Sequence, residues 1–386
     1  MEPVTSEQPL ISVIITCFNY ARYVAGAIES ALGQSYPNKE IVVVNDGSSD
    51  DSLAVITRYA GRVTVIDQAN QGSIAAYNRG FAGSTGAIVI LLDADDLLAA
   101  GALSEVARVW SPRCAKVQWD LGIIDADGKD LGRKFCNFDR RYDAGRVRDA
   151  FQRTGTYRWP VSVGNAYARW FASMAFPLSV DHGPDGLLNT LAPVYGEVHT
   201  IASVLGHYRI HGGNLWSSSG SDFSRLPYRI EHRLTEIATM QRHATERGVP
   251  LPNANPLDHE IAFINYRLMA KKLGLEYAGS GKDSASRLVG CAYRVLRAER
   301  YPPKLSFAHG AWFGLLAIAP KPLARALIRL RFQRSSLGPA FREALGSVLR
   351  TTRSRTSSSR QSSPQRSTTP LGQSNAEPLR SSERLK

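Results

Sequence analysis

The first hundred residues alternate short β-branched apolar runs with segments whose apolar residues recur at helical spacing, and no other feature restricts the fold as tightly. Leu10 to Thr16 reads as a buried strand, Ile41 to Val44 as a second, Val63 to Ile66 as a third and Ala87 to Leu92 as a fourth. Between the first two, Ala21 to Leu32 places Val24, Ala27, Ile28, Ala31 and Leu32 on one helical face. Further helices are expected from about Asp51 and over Ser73 to Ala82. Such alternation builds right-handed βαβ units, so the expected class is α/β: a Rossmann-like, mostly parallel sheet flanked by helices.

Beyond residue 100 the pattern changes. Val117 to Ile124 and the Asp127-Gly128 pair predict a β-hairpin. Asn165 to Met174 reads as a helix, and Leu187 to Leu191 as part of another after Asp185. Tyr195 to His199 and Val204 to Ile210 read as two short strands, and Phe223 to Glu299 as helical. The last residues, 350–386, are Ser, Thr, Arg, Gln and Pro, a composition too poor in apolar surface to offset its chain entropy. The expected organisation is a tail over 1–9, an α/β domain over 10–220, a helical region over 221–345 and a disordered basic tail over 346–386.

The net charge of +13 favours anionic partners, although part of it lies in the tail. The four cysteines, Cys17, Cys114, Cys136 and Cys291, have neither disulfide-rich nor zinc-site spacing and are read as reduced thiols. Met1 to Pro9 has no basic and apolar leader pattern, and no run reaches the roughly 18 apolar residues of a spanning helix. A cytoplasmic protein is therefore expected.

Ligands of an open α/β sheet bind outside the carboxyl ends of its strands. The first strand ends in Thr16-Cys17-Phe18-Asn19, the second in Asn45-Asp46-Gly47-Ser48, the fourth in Asp93-Ala94-Asp95-Asp96. Three carboxylates within four residues repel one another unless a cation or solvent compensates them. A divalent metal bridging to a diphosphate is one such cation, and Mg²⁺ and Mn²⁺ prefer those oxygen donors. The competing reading is that Asp95 or Asp96 caps the next helix. Asp46 suits a base or ribose contact, or a turn. Phe18 suits stacking on a base, or the core. Asn70-Gln71-Gly72, with Asn78 and Gly80, suits a close-approach loop and helix beside a diphosphate, or ordinary turns.

Taken together, Ile11 to Asn19, Ala31 to Ser35, Glu40 to Ser48, Asn70 to Gly80 and Leu91 to Asp96 resemble, in order and spacing, the opening of family 2 glycosyltransferases. The resemblance is close over about 10–100 and looser over about 160–214. It implies a GT-A fold with a nucleotide-sugar half at about 10–100 and an acceptor half at about 101–220. It also implies a nucleotide-diphosphate sugar donor, a divalent metal (Mg²⁺ or Mn²⁺) and a glycan or lipid-linked acceptor. On this resemblance the donor nucleotide is held by Thr16, Phe18, Asn19, Asp46, Gly72, Asn78, Asp93 and Ala94, and the metal by Asp95, with Asp96 and His211 as further candidates.

Inversion needs a base that takes the acceptor hydroxyl's proton during attack on the anomeric carbon. In the family this is an acid opening a helix, often the second of a Glu-Asp pair. Asp185 fits that place, although Pro184 stands where the first acid would be; Asp181 is the fallback, and an N-cap is the competing role for Asp185. Ser162-Val163-Gly164-Asn165 resembles the loop lying against the sugar. Gly164, Asn165, Trp159 and Arg209 are the acceptor and sugar candidates, with Trp170 as a further stacking or packing aromatic. Tyr208 to His211 resembles the family's Tyr-Arg-x-His block, with Arg209 a phosphate clamp or an ion-pair partner.

These readings converge on an inverting transferase serving surface-polysaccharide or lipopolysaccharide synthesis, a role that comes from the family's common work. The incomplete acid pair leaves a second reading, a non-catalytic nucleotide-sugar sensor or assembly protein. A nucleotidyltransferase would need a Gly-rich basic loop after the first strand, which Thr16 to Asn19 is not. Trp312 to Arg331 mixes apolar residues with Lys and Arg, which suits peripheral contact with the inner face of the cell membrane or a helix covering the domain. Nucleic acid is not expected as a partner, since the tail lacks aromatics.

Overall fold

The computed structural model describes residues 8–179, 183–211, 223–299, 301 and 303–332. Asp181, the Gly212 to Asn214 end of the His211 block, most of the N-terminal segment and the basic tail lie outside the described residues. Four parallel strands form the first half: β1 (Ile11–Cys17), β2 (Lys39–Asp46), β3 (Thr64–Gln68) and β4 (Ile88–Asp93), alternating with helices α1 (Val24–Leu32), α2 (Ser52–Thr57) and α3 (Ser73–Ala82). The second half adds β5 (Leu97–Leu98), α4 (Ala102–Val109), β6 (Cys114–Ile124), β7 (Asp130–Lys134), α5 (Ala144–Thr154), β8 (Asn165–Ala168), α6 (Arg169–Ala172), α7 (Pro184–Tyr195) and β9 (Glu197–Arg209). The helices α8 (Leu226–Glu246), α9 (Ile261–Leu273), α10 (Ala285–Ala298), α11 (Pro303–Ile318) and α12 (Lys321–Phe332) complete it.

The sheet runs β3-β2-β1-β4-β8-β6-β9-β5, with β7 paired to β6. It is parallel from β1 to β4 and mixed beyond β4, where β8 inserts antiparallel between β4 and β6. This is the GT-A arrangement, an α/β sheet flanked by helices with a helical C-terminal region. Two expectations change. Asn165 to Ala168 is a strand, because the slot between β4 and β6 offers its backbone ladder partners on both sides; only Arg169–Ala172 is helical. The two short strands expected around residues 195–210 are one, β9, whose alternation is broken by register shifts against Trp119, Asp120 and Leu121.

Strand alternation sorts the side chains into two layers. Ile11, Val13 and Ile15 of β1, with Ile88, Ile90 and Leu92 of β4, meet α1, α2 and α4. Ile14, Val89 and Leu91 face the other way, into a cluster that runs through α5 and α7 to Ile230, Leu268, Leu288 and Ile328 of the C-terminal helices. Described residues on both sides of the expected 220/221 boundary, from Ile14 to Ile328, therefore share one apolar cluster. All four cysteines are free and buried. Among the described residues no helix is long and apolar enough to cross a membrane.

α3 lies hard against the sheet at Gly80, where an added Cβ would stand 2.3 Å from Ile14 Cγ2 and 3.2 Å from Val44 Cγ2. In a free helix, Gly→Ala gains about 1 kcal/mol. Here Ile14 and Val44 are fully buried and cannot retreat, so overpacking wins. Gly80→Ala is expected to destabilise the protein by about 1–3 kcal/mol, read as a lowered urea midpoint with unchanged slope.

Candidate active site

The strand ends deliver their polar groups to one edge. β4 closes with the half-buried Asp93, and the turn that follows buries Asp95 and Asp96. Asp93 is held on both oxygens: Tyr77 Oη donates to Oδ1 at 2.6 Å and Ser162 Oγ to Oδ2 at 2.8 Å. Thr16 stands opposite Asp93 in the β1–β4 register, close to the same Tyr77 hydroxyl. Burial, and then the neighbouring Asp95 carboxylate, push Asp93 up to about 6. Asp96 rises well above its ordinary range for the same two reasons, against the pull of Arg209, whose backbone N–H it accepts at 2.9 Å.

Arg209, the last residue of β9, fastens this turn from the other side. Its Nε donates to the Asp95 carbonyl at 2.7 Å and its Nη1 to the carbonyls of Asp125 and Ala126, and its guanidinium lies 4.9 Å from the centre of the Tyr23 ring. His211 stacks on the same Tyr23 at 5.2 Å and pairs through Nε2 with Asp95 Oδ2 at 2.8 Å. Arg209 thereby clamps the backbone around the acidic turn. Among the described residues no three His, Cys, Asp or Glu side chains form a ready metal cage. One carboxylate oxygen beside one imidazole nitrogen is nonetheless a donor set that Mg²⁺ or Mn²⁺ accepts when substrate phosphates complete its shell, so Asp95 and His211 fit such an ion.

Asp185 is the second residue of α7, after Pro184; the N-cap is Gly183, so the capping role does not apply. Its Oδ1 accepts the Gly186 N–H at 3.0 Å, and the Ser162 backbone N–H lies within electrostatic reach of its carboxylate. Burial raises its pKa, opposed by these N–H groups and by the fully buried Lys116. Lys116 Nζ donates to Gln118 Oε1 at 2.9 Å and Tyr157 Oη at 3.1 Å, and burial pulls its pKa well below the usual lysine value. Ser162 therefore stands near both acids: its hydroxyl binds Asp93, and its backbone N–H favours the charged form of Asp185.

Other candidates occupy different places. Asp46 is buried and accepts from Gln68 Nε2 (2.7 Å), Gln71 N (2.9 Å) and Gly72 N (2.8 Å), fixing the loop that opens α3. Gly47 lets that loop approach: it has φ +68°, and a Cβ there would sit 2.5 Å from Asn70 N. Asn19, also left-handed at φ 58°, accepts from Ser49 N at 2.7 Å and latches the β2–α2 loop. Phe18 is exposed beside it. Asn78 pairs through both amide atoms with the Leu178 backbone, at 2.9 and 2.7 Å. Asn165 is fully buried and donates to the Pro160 and Val161 carbonyls, and Gly164 packs under Pro160. Trp159 carries the Arg233 guanidinium 5.5 Å from its ring centre, and Trp170 is an exposed neighbour of Phe171. The structure thus unites Thr16, Asp93, Asp95, Asp96, Asp185, Arg209 and His211, while Asn19, Asn78, Gly164 and Asn165 hold loops and packing.

Several participants carry no signal in the local sequence. Tyr77 and Ser162 matter through contacts far apart in the chain. Beneath α7, buried Arg233 of α8 binds Glu236 at 2.8 Å and Glu260 at 2.6 Å, and also bonds Thr190 Oγ1. Glu236 lies within electrostatic reach of Asp185, and burial, partly offset by Arg233, lifts it to about 7. The one available hint is a pair of charged residues on the buried stripe of an amphipathic helix.

The sequence matches the Glycosyl transferase family 2 profile over residues 12–156. It is 34% identical over 220 residues to an uncharacterized glycosyltransferase of Nostoc sp., covering 55% of this chain and 68% of the relative. An uncharacterized glycosyltransferase of Rickettsia prowazekii is 39% identical over 132 residues; the match covers 34% of this chain and little more than a third, 37%, of that protein. Among solved structures, the mannosyltransferase PcManGT from Pyrobaculum calidifontis, in complex with GDP-Man and Mn²⁺, superimposes with a TM-score of 0.48 at 18% identity, covering 84% of this chain and 86% of that one.

Gly186 faces Glu236 so closely that an added Cβ would stand 1.9 Å from Oε1. Gly186→Ala is expected to cost about 1–3 kcal/mol in thermal unfolding. Gly281→Ala, with nothing within 4 Å, leaves the melting temperature near that of the parent.

Proposed function

The chain belongs to glycosyl transferase family 2, and we propose that it transfers a sugar from a nucleotide-diphosphate donor to an acceptor hydroxyl with inversion. The observation that carries this reading is Ser162, whose hydroxyl bonds Asp93 at the donor edge and whose backbone N–H lies within electrostatic reach of Asp185 at the start of α7. A donor-site acid and a base candidate thereby lie within electrostatic reach of each other, which suits a direct displacement between donor and acceptor. In this reading Thr16, Phe18, Asp46 and the Gly72 loop bind the nucleoside, and Asp93 orients the donor beside the diphosphate. Asp185 takes the acceptor proton as the new bond forms, and its burial makes it a stronger base than a solvated carboxylate. Asp95 and His211 hold the Mg²⁺ or Mn²⁺, which when bound neutralises charge on the departing diphosphate.

The acceptor we infer is a glycan or a lipid-linked glycan in surface-polysaccharide or lipopolysaccharide synthesis, with the enzyme in the cytoplasm against the inner face of the cell membrane. That pathway rests on the family's common work. The closeness of Asp185 to Asp93 argues against a pure sensor, since binding a donor needs no base beside it.

Screening UDP-, GDP- and dTDP-sugars with and without Mn²⁺ tests the reading directly. With the accepted donor, Asp185→Asn should lower kcat by about 10²–10⁴-fold with little change in donor affinity. Full activity in that variant removes Asp185 as base. Because burial raises Asp185, activity should disappear as pH falls through a limb above the ordinary carboxylate range. Asp95→Ala should abolish the response to Mn²⁺, monitored both by turnover and by calorimetric donor binding.

A further inference from the structure

The outer faces of α11 and α12 combine features that the transfer chemistry leaves unused. Along α11, Phe307, Ala311, Leu315 and Ile318 follow one another at intervals of four, four and three residues, one continuous face of a helix. Phe307 and Ile318 are 79% and 82% exposed. The opposite face, with Gly310, Phe313 and Leu316, is buried. α12 repeats the division. Ala324 and Ile328 are buried, whereas Leu323, Ala326 and Leu330 form an exposed apolar row, and Lys321, Arg325 and Arg329 an exposed cationic row beside it. The helices are tied together where the Arg331 guanidinium lies 4.3 Å from the centre of the Trp312 ring, and both pack inward on α9.

Charge selects the occupant. From Glu299 to Glu343 the chain has no acidic residue, while α11 and α12 carry Lys304, Lys321, Arg325, Arg329 and Arg331. A second copy meeting this face about a two-fold axis would set like charges opposite one another with no acid between them. An anionic lipid surface meets both demands: acyl chains take the apolar rows, and headgroups take the cations, whose long stems let the charge remain in the polar layer.

We propose that α11 and α12 form a docking surface for anionic phospholipid, lying in the plane of the membrane interface. This deepens the reading of a lipid-linked acceptor, on which its biological sense rests, but vesicle binding requires no turnover. The test is cosedimentation of the purified full chain with phosphatidylcholine vesicles holding roughly one third phosphatidylglycerol, and with phosphatidylcholine alone. Binding should require the anionic lipid and weaken with salt. Phe307→Asp with Ile318→Asp, and separately Arg325→Glu with Arg329→Glu, should each lower partitioning roughly tenfold or more, with the thermal melt unchanged. Hydrolysis of the accepted donor without vesicles should be the same in both variants, so failure of the transferase reading and failure of the docking surface are separately visible. The proposal is overturned if the wild type does not bind, or if both variants bind as it does. It is equally overturned if binding disappears only on removal of residues 346–386, or if the Phe307/Ile318 variant merely dissolves a dimer.

Discussion

The organising constraint is the crowding of acids at the end of β4. Asp93, Asp95 and Asp96 are brought together by a strand and a tight turn, in surroundings that raise two of them. Each is held by a different element: Asp93 by Tyr77 of α3 and Ser162, Asp95 by His211, Asp96 by the β9 backbone. The parallel half of the sheet and the mixed half are thereby joined at the point where like charge is densest. Carboxylates so placed gain most from an incoming cation or from donors that line up with them.

Much of this was legible in the sequence, for physical reasons that differ by region. β1, β2 and β4 are apolar on both faces and bounded by turns, so local pattern alone marks them, and the polar residues at their ends follow from the open-sheet rule. β8 was not legible. Ala166-Tyr167-Ala168 has no strong strand preference, and it is extended because β4 and β6 leave one slot for it. β9 read as two strands because its extra residues opposite Trp119 to Leu121 break the two-residue period.

The site divides the same way. The strand-end acids and Asp185 were visible as residue types at motif spacing. Their supports were not: Tyr77 and Ser162 reach Asp93 across 16 and 69 residues, and Glu236 approaches Asp185 only because α8 packs on α7. Conversely, Asn19, Asn78 and Asn165 are polar at motif positions yet are engaged by the chain's own backbone. A motif gives the residue type, and the fold decides which of its hydrogen-bonding groups are already taken.

Arg233 carries a consequence for modularity. It is buried, it binds Glu236 of its own helix and Glu260 at the head of α9, and it bonds Thr190 of α7. Removing one member of such a buried ionic group leaves an uncompensated charge, a loss on the order of 3–5 kcal/mol. A chain cut after β9 would strip this group from α7 and uncover Leu187, Leu188 and Leu191, the helix that presents Asp185. The C-terminal helices are therefore not an appendage that a shorter enzyme could shed. They are part of the smallest heritable unit, and recombination that exchanged acceptor halves between relatives would have to carry α8 and α9 along with α7.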